Sequence, residues 1–250
     1  MTDTLAPDVV APHLRGRFGT PYLYERECES TQLLLLGSEL PEGAVAATEH
    51  QTAGRGRHGR AWRAAAGTSI LVSVLLRPPP EHRLPELSLV AALATAEMVE
   101  DAVALAAQIK WPNDVMLNRR KVAGILSELA NGTVIVGIGV NVNQTRDQLP
   151  PDAATEPASL RTATGTTYDR AVLLGSLVSR FERMYDVWGD RGLDGLYGEL
   201  GARDFLRGRR VTVDGTEGTA TQILRDGRLE IETDEREVRV IESGEVLFAR

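Results

Sequence analysis

The sequence lacks the features that place a protein in a membrane or in an oxidising compartment. It contains one cysteine, Cys28, which excludes an intramolecular disulfide. Residues 1–19 lack the basic segment followed by an apolar segment that a signal peptide needs. The longest apolar run, around residues 134–142, is interrupted by glycines and is shorter than the ~18 residues needed to span a bilayer. We therefore expect a cytoplasmic protein that does not enter a membrane.

An excess of positive charge is also absent. The formal net charge is -7 at pH 7, whereas general nucleic-acid binders are usually basic. We therefore expect no DNA binding, and any anion site must be built locally. Hydrophobic residues make up 42% and charged residues 25% of the chain, close to the average for globular proteins. The length suits one large domain, or one large and one small domain.

Residues 1–21 are rich in proline and glycine and are predicted to form a flexible N-terminal arm. The residues that follow show a mixed α+β pattern. Ser30 or Thr31 is expected to cap a short helix that runs to Leu40. Helical spacing of apolar residues predicts two long helices, and alternation or turn chemistry predicts strands between them. The helices are expected at 87–103 and around 173–188, and the strands at 68–76, 109–111, 115–117, 122–129 and 133–143.

After about residue 207 the pattern changes to short strands separated by turns. Asp-Gly pairs at 214–215 and 226–227 and a Ser-Gly pair at 243–244 supply the turn chemistry. A segment of this length and pattern suits a small SH3-like barrel. We therefore predict a larger domain over residues 22–204 and a barrel over residues 205–250.

The densest chemical signal is a loop at residues 51–62 that carries glycines at 54, 56 and 59 and arginines at 55, 57 and 60. Glycines let a backbone turn tightly, and arginine forks suit carboxylate and phosphate groups. The loop is therefore a candidate anion cradle. The alternatives are a solvated basic loop or an RNA-binding segment. Gln51 and Trp62 beside the arginines favour a pocket for a small amphipathic molecule.

Two further segments carry residues that suit a ligand site. Lys110 ends an apolar strand immediately before a proline turn, so its ammonium group is expected to be held rigidly. Taken alone, such a residue is more often an ordinary surface lysine. Gly137, Gly139 and Asn141 lie on a predicted strand to whose backbone a ligand could come close. A dinucleotide-binding fingerprint is disfavoured because the third glycine and a following helix are missing.

Together these segments resemble a known family. The strings GRGRHGRAW, KWPNDV, KVAGILSE and GIGVNVN occur in this order between residues 54 and 143, and their combination resembles the catalytic core of biotin protein ligases (holocarboxylase synthetases). The similarity covers about residues 22–250. It implies an α+β catalytic domain with a mixed sheet, similar to that of lipoate ligases, and a C-terminal SH3-like barrel.

The resemblance also implies an activity. Such an enzyme forms biotinyl-5′-AMP from biotin and ATP, with Mg²⁺ on the triphosphate, and then transfers biotin to a lysine of the biotin carboxyl carrier domain of an acyl-CoA carboxylase. Too few residues precede Ser30 for the DNA-binding domain of longer members, so a repressor role is disfavoured. We expect a monomer or a weak homodimer. A lipoate ligase and a nucleic-acid-binding protein that uses residues 55–63 are the rival interpretations.

The matching positions imply a set of site residues. Those expected at biotin are Ser30, Thr31, Gln32, Gln51, Arg55, Gly56, Arg57, Lys110, Gly137 and Gly139. Those expected at ATP or the adenylate are Arg55, Arg57, Arg60, Trp62, Lys110, Lys121 and Asn141. Lys110 and Arg57 are the catalytic candidates, and Gln32 stands where the family commonly has asparagine. The sequence identifies neither the metal ligands nor a base for the acceptor lysine.

Overall fold

A computed structural model describes residues 3–130 and 132–248, and a mixed sheet of seven strands organises the first two thirds of this part of the chain. The helices are α1 (Pro7–Val10), α2 (Thr31–Leu35), α3 (Glu86–Val103), α4 (Leu160–Thr164), α5 (Arg170–Arg191) and α6 (Tyr197–Ala202). The strands are β1 (Tyr22–Cys28), β2 (Val45–Gln51), β3 (Ser69–Leu76), β4 (Ala107–Lys110), β5 (Asp114–Leu117), β6 (Arg120–Ala130), β7 (Thr133–Asn141), β8 (Arg210–Val213), β9 (Thr216–Ile223), β10 (Leu229–Glu232), β11 (Val238–Ile241) and β12 (Val246–Phe248).

The large sheet has the strand order β1-β2-β3-β7-β6-β5-β4. Only β1 and β2 pair in parallel, and the remaining neighbours are antiparallel. The predicted mixed sheet is therefore confirmed. In the centre, the register of β3 and β7 places Gly137 opposite Ser73 and Gly139 opposite Leu71.

The two faces of this sheet have different surroundings. Helices α3 and α5 pack against each other and against one face, where buried side chains such as Val72, Val74 and Val136 form the main core. Successive residues of a strand point to opposite faces, so Leu71, Ser73 and Leu75 belong to the second face. Only part of that face is covered, by a small cluster around Leu35 of α2. The rest is available for a site.

The structure confirms both long helices and the central strands, although their ends differ by a few residues from the predicted bounds. The predicted end of α2 at Leu40 is wrong. The helix stops at Leu35 because Leu36 is extended and Gly37 has a positive φ of 69°. The expected capping by a hydroxyl group is also absent among the described residues, since neither the Ser30 nor the Thr31 side chain accepts a hydrogen bond from an amide of the first turn of α2.

The flexible arm predicted for residues 1–21 is wrong for residues 3–21, and Met1 and Thr2 lie outside the described residues. Leu5, Val10 and Phe18 are fully buried, α1 packs on α5, and the Phe18 ring meets Phe181 edge to face at 6.1 Å. Apolar residues spaced between prolines and glycines therefore dock on a helix far along the chain. This segment is part of the main core.

The C-terminal strands form the five-stranded antiparallel sheet expected for an SH3-like barrel, in the order β11-β10-β9-β8-β12. The β8–β9 turn has positive φ at Asp214 and Gly215, as an Asp-Gly hairpin requires. This sheet is tied to the part of the chain that holds the large sheet, because the Trp111 indole donates to the Gly227 carbonyl at 2.8 Å. The domain boundary at residues 204–205 stays a prediction. In the two described stretches, no helix is long and apolar enough to cross a membrane.

Candidate active site

A cavity of about 380 Å³ opens on the second face of the large sheet. The structure brings every predicted site residue to its wall: Ser30, Thr31, Gln32, Gln51, Arg55, Gly56, Arg57, Arg60, Trp62, Lys110, Lys121, Gly137, Gly139 and Asn141. These residues come from α2 and its N-cap, β2, the loop after β2, and the strands β4, β6 and β7. Segments far apart in sequence therefore meet at one place.

One end of the cavity is a buried polar network. The Thr31 amide donates to Gln51 Oε1 at 2.8 Å, and the hydroxyl groups of Thr31 and Ser73 lie 2.7 Å apart. Gln32 Nε2 donates to the Leu126 carbonyl at 3.1 Å. Because each polar group is fixed by a neighbour, this end presents hydroxyl and amide groups in set directions. Ser73 was not predicted, and its only signal was a polar residue within an apolar strand.

Glycines leave the floor of the cavity without side chains. Gly124 and Gly139 lie opposite each other on β6 and β7, and the Trp62 indole lies on this bare strip. A Cβ atom would stand 2.5 Å from Trp62 Cε2 if built at Gly139, and 2.9 Å from Trp62 Cζ3 if built at Gly124. At Gly137 it would stand 3.2 Å from Gln32 Cδ. The glycines therefore make room for the site's own side chains.

The glycine-rich loop is a tight hairpin over the cavity. The Gly56 amide donates to the Arg60 carbonyl at 2.7 Å, and the Trp62 amide donates to the Gly54 carbonyl at 2.9 Å. His58 and Gly59 form its tip with φ of 57° and 72°, so the glycine relieves strain at one of two left-handed positions. The hairpin carries three arginines to the cavity wall.

Four basic residues of the wall are already paired with carboxylates, and one of them, Arg63, pairs with Asp152 at 2.6 Å. Arg55 pairs with Glu128 and Arg60 with Glu245, both at 2.8 Å, and Lys121 pairs with Asp114 at 2.6 Å. Lys121 also lies over the Trp62 ring, 5.5 Å from its centroid. The predicted cradle therefore has part of its positive charge balanced by the protein itself.

Two other basic residues, Lys110 and Arg57, form no salt bridge with any described residue. Lys110 is 8% exposed, and its Nζ donates to Thr155 Oγ1 at 3.1 Å and faces the Phe248 ring at 5.1 Å. Arg57 Nη1 donates to Asn113 Oδ1 at 3.4 Å and to the Gly244 carbonyl at 3.3 Å. All the hydrogen-bond partners of these two cations are neutral.

Burial lowers the pKa of Lys110 below its usual value, and the nearby Asp114 carboxylate opposes this shift. Burial likewise lowers the pKa of the Arg57 guanidinium, again against the field of Asp114. A poorly hydrated charge without a salt bridge is costly, so an anionic ligand would be bound strongly here. Lys110 and Arg57 are therefore suited to bind a phosphate or a carboxylate group.

Rigid elements hold Lys110, as the sequence predicted. It lies at the end of β4, the following Trp111 is buried, and Asn113 bridges to β6 through two hydrogen bonds with the backbone of Ile125, at 2.7 and 2.9 Å. These contacts fix the backbone from which the Lys110 side chain extends.

The sequence did not assign several cavity residues. They are chiefly Leu71, Ser73, Asn113, Asp114, Gly124, the loop at 150–157 and the C-terminal residues Gly244, Glu245 and Val246. Asn113 and Asp114 lay within a quoted motif, so residue type could have suggested them. The loop and the C-terminal residues reach the cavity only through tertiary packing.

Comparison with known proteins agrees with this geometry. The model of the Biotin/lipoate A/B protein ligase family matches residues 25–144. The chain is 36% identical over 233 residues to the bifunctional ligase/repressor BirA of Bacillus spizizenii, covering 87% of this chain and 71% of the relative. It is 36% identical over 219 residues to the biotin--[acetyl-CoA-carboxylase] ligase of Mycobacterium tuberculosis, covering 84% and 80%.

Among solved structures, the biotin protein ligase from Aquifex aeolicus in complex with biotin and ATP superposes with a TM-score of 0.83 at 30% identity. The superposition covers 92% of this chain and 98% of that one. The similarity therefore includes both sheets and the cavity between their elements. The chain belongs to the Biotin/lipoate A/B protein ligase family and, within it, to the biotin protein ligases.

Proposed function

We propose that this protein is an ATP-dependent biotin protein ligase that activates biotin as biotinyl-5′-AMP and transfers it to a lysine of a carboxylase carrier domain. The observation that carries the proposal is a pair of cations, buried Lys110 and half-buried Arg57, in the same cavity as a buried polar network. A small molecule with a polar head and a carboxylate tail fits such a cavity. In the cell we expect the enzyme in the cytoplasm, as a monomer or a weak homodimer.

The polar network is assigned to the fused rings of biotin. Ser30, Thr31 and Gln51 offer hydroxyl and amide groups to the ring nitrogen and oxygen atoms, and Ser73 fixes the Thr31 hydroxyl. Gln32 packs against Gly137 and has its amide group engaged with the Leu126 carbonyl. Its role is then to shape the pocket wall. Fixed partners of this kind discriminate strongly against molecules that lack the matching polar atoms.

Lys110 and Arg57 are assigned to the reacting anions. The carboxylate of biotin attacks the α-phosphorus of ATP, a new oxygen–phosphorus bond forms, and the bond to pyrophosphate breaks. Two negative groups must approach each other in this step, so preorganised cations in a site that excludes water lower the barrier. These two cations, which form no salt bridge with any described residue, are the ones in place to do so.

The adenylate is assigned to Trp62, Asn141, Arg60 and Lys121. The Asn141 amide donates to the Ala158 carbonyl at 3.0 Å and its Oδ1 accepts from Gln144 at 2.9 Å, so its orientation is fixed. The Trp62 indole N–H is buried and has no acceptor among the described residues. A nucleotide acceptor would satisfy it.

Magnesium fits this site as an ion carried mainly by the nucleotide. No group of three or more histidine, cysteine, aspartate or glutamate side chains in the described residues could hold a metal, and the acidic side chains on the cavity wall are paired with basic ones. Mg²⁺ commonly keeps waters and substrate phosphates as its ligands. Bound in this way, it would neutralise the departing pyrophosphate.

The second step needs the carrier lysine in its neutral form. Its amine attacks the acyl carbon of biotinyl-AMP, an amide bond forms and AMP leaves. The glycine-rich hairpin would protect the mixed anhydride from water until the carrier arrives. No base for the carrier lysine is assigned.

A direct test compares the two vitamins that this fold class activates. Pyrophosphate–ATP isotope exchange should depend on biotin and should not be supported by lipoate, and biotin should then appear on one lysine of a carrier domain added to the reaction. Exchange that is supported by lipoate, or is independent of either vitamin, would contradict the proposal. The Lys110→Met variant is the matched control, since it should fold and show exchange slowed by about two to three orders of magnitude.

A further inference from the structure

Near the catalytic end of the cavity, Asp114 contacts one cation and lies close enough to two others for its charge to act on them. Lys110 at the end of β4 and Asp114 at the start of β5 are direct partners in the antiparallel register. Asp114 Oδ1 forms a salt bridge with Lys121 Nζ at 2.6 Å. Arg57 bonds to the neighbouring residue, Asn113. The Asp114 carboxylate thus acts on Lys121 by direct contact, and on Lys110 and Arg57 through its charge.

Asp114 is also the best shielded carboxylate on the cavity wall. Its side chain is 13% exposed, against 42% for Glu245 and 61% for Asp152. Charges in a less hydrated setting act more strongly on their neighbours. Asp114 is the largest charge effect that opposes the burial-induced fall of the Lys110 pKa, with Glu245 smaller, whereas Lys121 and Arg60 act in the opposite direction.

We propose that Asp114 is a positioning residue for adenylate formation, which keeps Lys110 as an ammonium ion and holds Lys121 over Trp62. It acts through these two side chains without contact to the reacting atoms. One carboxylate among three cations still leaves the end of the cavity positive, so the site keeps its attraction for phosphate. The inference rests on the proposed ligase function and adds a residue to it.

The sign of the expected pH effect follows from this placement. Adenylation needs Lys110 protonated, so its rate falls at alkaline pH as Lys110 loses its proton. Removing the negative charge of Asp114 lowers the Lys110 pKa further, by about one unit for a close opposite charge. The alkaline limb of the rate profile should therefore move to lower pH.

The test uses Asp114→Asn, which keeps the shape and removes the charge, with Asp152→Asn as the matched control. Biotin-dependent pyrophosphate exchange is measured against pH. In parallel, the pKa of Lys110 in the enzyme without substrates is read from the pH dependence of its acetylation by mass spectrometry. We expect the alkaline limb and the Lys110 pKa to fall together by about one unit in Asp114→Asn, with no shift in Asp152→Asn and a partial return in Asp114→Glu.

An unchanged Lys110 pKa in a folded Asp114→Asn variant would overturn the inference. If that variant does not fold, the Lys110 pKa is measured in Lys121→Met instead, because loss of the neighbouring positive charge should raise it. An unchanged pKa there would also count against the inference. Failure of the proposed function would look different, because wild-type enzyme would then show no biotin-dependent exchange at any pH.

Discussion

Arg170 and Lys110 are both buried cations, but they differ in where their counter-charge comes from. Arg170 is fully buried and donates to the Asp3 carboxylate at 3.0 Å, to Glu49 at 2.7 Å, and to the carbonyls of Ser69 and Asp3. Lys110 donates to one neutral hydroxyl, that of Thr155. The first cation is satisfied inside the fold, whereas the second is left for an incoming anion.

This difference separates structural charge from functional charge. The Arg170 cluster joins the N-terminal segment, β2, β3 and α5, so its carboxylates hold distant parts of the chain together. The Lys110 end of the cavity keeps positive charge in a poorly hydrated place at a cost to stability, as functional sites often do. Each prediction below alters one side of the comparison.

The largest effect is expected for Arg170→Met. It leaves Glu49 and Asp3 without their main partner, and breaking a buried pair on one side costs about 3 to 5 kcal/mol. The melting temperature should fall by about 10 °C, while exchange activity at low temperature stays near that of the wild type. Arg183→Met, at an exposed ion pair with Glu97, is the control and should melt close to the wild type. An Arg170→Met protein that melts like the wild type would contradict the structural role assigned to Arg170.

Lys110→Met should have the opposite profile, with activity lost and stability kept. Removal of one preorganised charge should slow adenylation by about two to three orders of magnitude. Because burial lowers the Lys110 pKa, the folded state binds the proton less tightly than the unfolded chain does. Wild-type stability should therefore rise with pH between the lowered value and the ordinary lysine pKa.

That rise should be missing in Lys110→Met, which should be at least as stable as the wild type below the lowered pKa. Thermal melts between about pH 8 and about pH 11 measure both effects across the lysine range. Marked destabilisation of Lys110→Met at neutral pH would assign Lys110 to the structural class and contradict the account.

Arg57→Gly should affect retention of the adenylate more than its formation. One charge-assisted hydrogen bond to phosphate or carboxylate contributes about 1.5 to 3 kcal/mol, so biotinyl-AMP should leave about ten to a hundred times faster. Released adenylate would biotinylate lysines of an added bystander protein, which Lys110→Met should not do. If Arg57→Gly binds biotin but forms no adenylate, Arg57 takes part in the chemical step, and its assignment to retention of the adenylate is wrong.

The smallest effect is expected at the exposed pair between Arg60 and Glu245, whose side chains are 45% and 42% exposed. Surface pairs contribute about 0 to 1 kcal/mol. Glu245→Gln should therefore change exchange activity and the melting temperature little, by less than about threefold and 3 °C. A much larger loss of activity would show that the C-terminal sheet controls the chemistry through this contact.

The sequence predicted the cavity residues better than it predicted what those residues contact. Lys110 could be found because an apolar strand and a proline turn flank it, and the arginine loop could be found from its glycines. The partners Glu128 and Asp114 could not be found, because strand register decides which carboxylate faces which cation. Ser73 was hidden for a similar reason, since alternation does not say which face of β3 borders a cavity.

The N-terminal segment shows the same limit on a larger scale. Leu5, Val10 and Phe18 have no helical or strand period, and the prolines and glycines between them suggested a flexible arm. Their partner is α5, which begins at Arg170. Local pattern can predict elements that form by their own periodicity, but not a segment whose order comes from docking on a distant helix.

Native mass spectrometry after incubation with biotin and MgATP tests the central claim most directly. Wild-type enzyme should retain one biotinyl-AMP, and Arg170→Met should retain it too at a temperature at which it is folded. Lys110→Met should carry no adenylate although its fold is intact. Adenylate formation by Lys110→Met at the wild-type level would show that the uncompensated cation is not what drives the reaction, and would contradict the account.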